Sequence, residues 1–200
     1  MKKTFLIIIW STLMLPELSA QSKTGIENYG MLSSGEAYQW MPMIHHQGSK
    51  GFYAEMRYNY EAARTGSVYA GKSFSKDETL SWELTPMVGI VFGDYTGISA
   101  AINTSLEYKQ FFLSGQTQYT LNNRNRQDHF FFNWSELGYQ PVKWFYAGIS
   151  AQFTQLYKST LAAEYGLMLG LVIKKITIHL YVFNQPGGEK NYIIGINAEW

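Results

Sequence analysis

From residue 51 to the C-terminus the sequence alternates with a period of two, which commits this part of the chain to β-strands with two unlike faces. Between Trp82 and Phe92 the even positions are Trp82, Leu84, Pro86, Val88, Ile90 and Phe92, and the odd ones are Glu83, Thr85, Met87, Gly89 and Val91. The following segment sets Ile98, Ala100, Ile102, Leu106 and Tyr108 against Ser99, Asn103, Ser105 and Glu107. Ten such segments are predicted, at 51–61, 66–75, 81–92, 97–109, 110–121, 129–139, 144–156, 160–173, 175–184 and 191–200. The connectors between them are short and rich in Gly, Asn, Asp and Pro. None has room for a crossover helix, so the strands form an antiparallel meander.

Three positions disturb the pattern. Pro86 lacks a ladder donor and fits best at a bulge. Phe130, Phe132 and Trp134 share one face while Leu137 and Tyr139 share the other, which places a second bulge near Ser135 and Glu136. Lys72 falls on an apolar face; either it snorkels at an interface or the register there is off by one.

The two faces identify the solvent. One carries Leu161, Ala163, Tyr165, Leu167, Leu169, Leu171 and Ile173 on one strand and Ile176, Ile178, Leu180 and Val182 on the next. In water that surface would aggregate. The opposite face is polar and small, with Asn103, Gln118 and Gln152 beside Ser99, Gly148, Gly166, Gly170 and Gly195. Such residues suit a narrow barrel lumen. In lipid an open sheet edge would leave peptide groups unpaired, so the sheet must close. The expected fold is all-β, a closed antiparallel up-and-down transmembrane β-barrel of about ten strands, or eight if two hairpins are misread.

At the N-terminus Lys2 and Lys3 precede an apolar run to Leu15 and a polar, small-residue end at Ala20. This is the layout of a secretory signal peptide cleaved near Ala20. Residues 1–20 are therefore the signal peptide, 21–50 an N-terminal periplasmic arm or lumen plug, and 51–200 the barrel. Tyr29, Tyr38, Trp40, Met41 and Met43 make the arm an ordered contact, either with the barrel or with an envelope partner. Without Lys2, Lys3 and Glu17, the 16 basic and 15 acidic residues become equal in number. A basic surface for nucleic acid is thereby excluded. The absence of Cys removes disulfides, thiol catalysis and zinc-thiolate sites.

The last strand sets Tyr192, Ile194, Ile196, Ala198 and Trp200 in alternation, with Gly195 five residues before the end. Here the chain resembles bacterial outer-membrane β-barrel proteins of Gram-negative envelopes. Their final strand ends in an aromatic residue that the barrel-assembly machinery reads. Gly195, Ala198 and Trp200 match that signal. The resemblance implies an outer-membrane location, lipid around the wall and contact with the assembly machinery during insertion. Aromatic residues at strand ends, among them Trp82, Tyr108, Trp134, Trp144 and Trp200, fit interfacial girdles.

No catalytic constellation stands out. Resembling the omptin proteases would require paired acidic residues and an Asp-His pair on tall loops, and the loops here are short. A lipid hydrolase needs Ser, His and a carboxylate together, and neither His129 nor His179 has an adjacent Ser. His45 and His46 point to opposite sides of an extended chain, which disfavours a metal site. No cofactor is implied. Inside the barrel Arg57 is expected to pair with Glu55, Glu83 or a carboxylate across the lumen. Glu107, Glu164, His179 and Glu199 share the inward face. The leading expectation is a non-enzymatic scaffold or subunit of an envelope complex with an ion-paired lumen. The alternative is a narrow porin-like channel whose carboxylates favour small cations. A lipid-modifying barrel enzyme is the third.

Overall fold

The computed structural model describes residues 22–33, 37–184 and 190–200, so the signal-peptide segment lies outside the described residues. The chain runs through β1 (Lys23–Ser33), β2 (Gln39–Gln47), β3 (Phe52–Tyr58), β4 (Thr65–Lys72) and β5 (Phe74–Lys76). It continues through β6 (Leu80–Gly93), β7 (Gly97–Tyr108), β8 (Phe111–Asn122) and β9 (Phe130–Val142). β10 (Phe145–Leu156), β11 (Ala162–Ile173), β12 (Ile176–Asn184) and β13 (Lys190–Glu199) complete it. Each strand is antiparallel to its neighbour, β4 and β5 both pair with β6, and β1 pairs with β13. β4 and β5 are thus one stave of the wall, and the sheet closes as a barrel of twelve staves.

Twelve staves correct the expected ten, and the alternative of eight. All ten predicted segments are strands; the two missing staves are β1 and β2, in the region expected to form an arm or plug. Residues 23–47 instead stand in the wall, where β1 joins β13 from Gly25↔Glu199 to Ser33↔Asn191. The seam is extended by two further bonds, Thr24 N–H to the Trp200 carbonyl at 2.8 Å and Trp200 N–H to the Thr24 carbonyl at 2.9 Å. Alternation is masked in these two strands because their outward faces mix Ile26, Leu32, Trp40 and Ile44 with Asn28, Gly30, Pro42 and His46. The β2–β3 ladder starts at Met43↔Arg57, directly after Pro42, which has no N–H to give. Beyond it side chains hold the seam: Asn59 Nδ2 donates to the Trp40 carbonyl and Gln39 Nε2 to the Asn59 carbonyl.

Pro86 is accommodated by an interruption of the neighbouring stave. The register Gly71↔Met87 and Phe74↔Leu84 sets Pro86 beside the end of β4, and the ladder breaks at Ser73. No bulge occurs at Ser135 and Glu136, where β8 and β9 pair without a break from Thr120↔Phe130 to Phe111↔Tyr139. The irregularity of β9 lies near the turn, between Phe145 and Ala147 on β10. Phe130 and Trp134 consequently face the lumen, and Asn133 faces outward. Lys72 is in register and exposed at the end of β4.

The outer wall is apolar and open, with Val88 at 67% and Leu167 at 66% exposure, as a lipid-facing surface requires. The packed core is the lumen itself, where Tyr69 and Phe183 are fully buried. Its aromatic rings lie on glycines. Tyr29, Tyr69, Phe112 and Tyr146 are the direct cross-strand partners of Gly195, Gly89, Gly138 and Gly170. In each case a Cβ on the glycine would collide with the ring. The small inward residues therefore do not widen the lumen; they are the bed on which large side chains lie flat.

Both described ends of the chain and the turns 48–51, 77–79, 109–110, 143–144 and 174–175 lie at one end of the barrel. The connections 59–64, 94–96, 123–129 and 157–161 lie at the other. In outer-membrane barrels the end with the shorter set is the periplasmic one, so the first end is called periplasmic.

Candidate functional site

The inward face carries Glu27, Glu55, Glu83, Glu107, Glu136, Glu164 and Glu199 on seven different strands. Arg57 is the one arginine among these strand positions. A lumen of this sign repels anions unless its charges are paired. The fully buried pairing lies at one level, where β3 meets the loop 59–64.

The Arg57 guanidinium pairs with the Glu55 carboxylate two residues before it on β3. From the other edge of that carboxylate, Oε2 accepts from the Tyr53 hydroxyl at 2.7 Å. Arg57 Nη1 crosses the lumen and donates to Gln118 Oε1 on β8 at 2.8 Å, and it lies 3.9 Å from Glu61. Glu61 comes from the loop 59–64, which folds inward; its Oε1 accepts from Tyr69 at 2.9 Å. The Arg57 guanidinium also lies 4.5 Å from the Tyr69 ring centre and 5.6 Å from that of Tyr60. Burial at this point pushes the Tyr60 phenol well above its ordinary value. The side chains of Glu55, Arg57 and Glu61 are all 0% exposed, so solvent does not reach them.

A second crossing is aromatic. Tyr29 on β1 and Trp134 on β9 stand five staves apart, yet their rings are 5.8 Å centre to centre. Trp134 packs edge-on against Tyr181 at 5.2 Å and donates from Nε1 to Ser150 Oγ at 2.7 Å. His179 stacks on Tyr181 and pairs with the Tyr146 hydroxyl at 2.5 Å. The two crossings occupy different sectors of the bore, the polar one between β3 and β8 and the aromatic one between β9 and β1.

The predicted lumen residues fall into three groups. Glu55 and Arg57 meet at the polar crossing. His179 belongs to the aromatic one. The remaining carboxylates stand away from Arg57: Glu83 and Glu107 between the crossing and the periplasmic end, and Glu164 toward the loop end, where it accepts from Asn191 at 3.0 Å. Glu199 lies at the periplasmic mouth, 3.8 Å from Lys23 and 3.9 Å from His45. Glu27, Glu61, Glu136 and Gln118 were not singled out from the sequence. Glu27 was hidden inside the supposed arm and Glu61 in a connector; Gln118 was legible as inward but not as the partner of Arg57. His46, on the outward face, is bonded to Thr24 at 2.8 Å, and among the described residues no group of three His, Cys, Asp or Glu side chains is placed to hold a metal. Gly195 and Ala198 lie in the β1–β13 seam, which extends to Trp200.

No family model matches the sequence, and no curated protein matches it. Solved structures do. The KdgM porin superposes with a TM-score of 0.66 at 12% identity, over 87% of this chain and 98% of that one. The NanC porin gives 0.66 at 14% identity, over 86% and 98%. A structure of the KdgM porin in complex with disordered oligogalacturonate gives 0.63 at 14% identity, over 87% and 98%. The chain thus has the fold of small outer-membrane porins, nearly end to end. The expectation of a closed antiparallel barrel of the outer-membrane kind accords with that likeness.

Proposed function

We propose that the protein is a narrow outer-membrane channel for small cationic or neutral solutes, closed in the described state by the Arg57 crossing. The observation that carries this reading is the lumen wall, with seven inward glutamates on its strands against Arg57 and, at the periplasmic mouth, Lys23. Fixed carboxylates concentrate cations and raise a barrier to anions in a low-dielectric bore. The likeness to porins supports a channel over an envelope scaffold. It does not carry a solute across, and the chemistry argues for a different one: oligogalacturonate, present with one of those porins, is a polyanion, which this lining disfavours.

The Arg57 crossing is built from parts that separate. Its cross-lumen contact to Gln118 is one hydrogen bond, and Glu61 reaches it from a loop rather than a strand. Rotation of one arginine side chain and outward movement of loop 59–64 would join the Glu83–Glu107 vestibule to the loop end. Insertion into the membrane is proposed to use β13, whose terminal aromatic residue supports recognition by the assembly machinery, with membrane lipid covering the outer wall. An interaction through residues 21–50 is not retained, because β1 and β2 are wall.

Swelling of protein-loaded liposomes tests the reading. Small cations and neutral sugars are expected to enter and oligoanionic sugars to be excluded, with entry faster for the Arg57→Ser/Gln118→Ser variant. The buried crossing favours one other reading, a plugged scaffold. Swelling no faster than in protein-free vesicles, for wild type and variant alike, would replace the channel by that scaffold.

A further inference from the structure

The near balance of 15 acidic and 16 basic residues conceals a sorting by position. Carboxylates line the lumen, and lysines gather at the end of the barrel that carries the short turns. Lys50, Lys109, Lys143 and the pair Lys174 and Lys175 occupy four of the five turns at that end, and Lys72 closes β4 beside them. All six are exposed, and none has a carboxylate within 4 Å among the described residues. Of the acids at this rim, Glu78 lies 3.0 Å from Lys76 and Glu199 3.8 Å from Lys23, while Asp77 accepts from the Ser81 hydroxyl and meets no collar amine within 4 Å. By stave order the free amines are spread around the circumference, from the β2–β3 turn to the β11–β12 turn. They form a collar of unneutralised positive charge.

We propose that this collar binds anionic phospholipid headgroups, such as phosphatidylglycerol, in the periplasmic leaflet. Three features favour a lipid over an anionic polymer of the periplasm. The turns at 109–110, 143–144 and 174–175 are two residues long, so their amines stay at headgroup depth and do not project beyond it. Lys72 is on the outward face of its stave, where a long stem reaches along hydrocarbon to the headgroups. Aromatic side chains of the interfacial kind flank the same amines: the Lys109 ammonium lies 5.2 Å from the Tyr108 ring centre, that of Lys72 lies 5.5 Å from Phe74, and Trp144 follows Lys143 at 61% exposure. The inward carboxylates nearest this end, Glu107 and Glu199, face the lumen, and neither lies within 4 Å of a collar amine.

The test uses the folded full-length mature barrel in nanodiscs of equimolar phosphatidylglycerol and phosphatidylethanolamine, with retained lipids identified by native mass spectrometry. Wild type is expected to retain the anionic lipid about five-fold over the zwitterionic one, with the preference lost at 0.5 M salt. The variant Lys109→Asn, Lys143→Gln, Lys174→Asn, Lys175→Gln should lose most of the preference while keeping its heat-modifiable migration. Asn is chosen at 109 and 174 because both positions have positive φ, 57° and 58°. Equal retention of the two lipids by wild type, or a preference indifferent to salt, overturns the proposal whether or not the variant folds. Sedimentation of wild type with peptidoglycan sacculi, without lipid preference, would assign the collar to the polymer and overturn it too. Neither result bears on conduction through the lumen, so failure here is separable from failure of the channel reading.

Discussion

Arg57 on β3 donates from Nη1 to Oε1 of Gln118 on β8, 2.8 Å away and four staves around the wall, so that one hydrogen bond spans the bore of the barrel. The guanidinium is fully buried between Glu55, Glu61 and the Tyr69 ring. An isolated charge in such surroundings would cost several kcal/mol, and the carboxylates offset that cost only while the arginine is present.

Arg57→Ala should therefore destabilise the barrel by about 3–5 kcal/mol, since it leaves Glu55 and Glu61 buried without a cation. Adding Glu55→Gln to Arg57→Met should recover a large part of the loss. Urea unfolding followed by heat-modifiable gel migration reads both values. A single variant as stable as wild type would mean that the cluster is hydrated.

The bed of glycines under the lumen rings gives a second expectation. Gly170→Val places branched carbons where the Tyr146 ring lies and should cost about 1–3 kcal/mol. In a Tyr146→Ala background the same change should cost much less, because the ring that it displaces is gone. Additive effects in a double-mutant cycle would show that ring and glycine do not compete for the space.

Ten of the twelve staves were legible from alternation alone, because from β3 onward the lipid imposes one face and the lumen the other. The first two were not, since Asn28, Gly30, Pro42 and His46 interrupt their outward faces. The inward direction of Glu55, Arg57, Glu83 and Glu164 followed from parity within each strand. What parity does not contain is the height of one stave relative to another across the lumen. The Arg57–Gln118 and Tyr29–Trp134 contacts depend on that offset, which is set by the register of all the ladders between them. Trp134 departs from its expected place in an interfacial girdle for a related reason: the bulge expected near Ser135 and Glu136 does not occur, and unbroken parity turns the ring into the bore.

The position of Trp134 can be tested by emission. Trp40, Trp82, Trp144 and Trp200 are exposed on the outside. Brominated lipid should quench them and leave a residual signal from Trp134. That residue should vanish in Trp134→Phe, whereas an unchanged residue would put Trp134 in the lipid.

Charge selectivity follows from the vestibule between the crossing and the periplasmic mouth. In the Arg57→Ser/Gln118→Ser background, reversal potentials under a KCl gradient should favour potassium over chloride. Glu83→Gln with Glu107→Gln should move the reversal potential toward zero. Anion preference in the opened barrel would show that these carboxylates do not face the conducting path.

The most direct measurement is single-channel recording of wild type beside Arg57→Ser/Gln118→Ser in planar bilayers, each verified as folded by its shift on boiling. Wild type is expected to be closed for most of the record with brief openings, and the variant to show long, discrete, cation-selective steps. Records that do not differ, whether both silent or both open, would contradict the assignment of the Arg57 crossing as the closure of the channel.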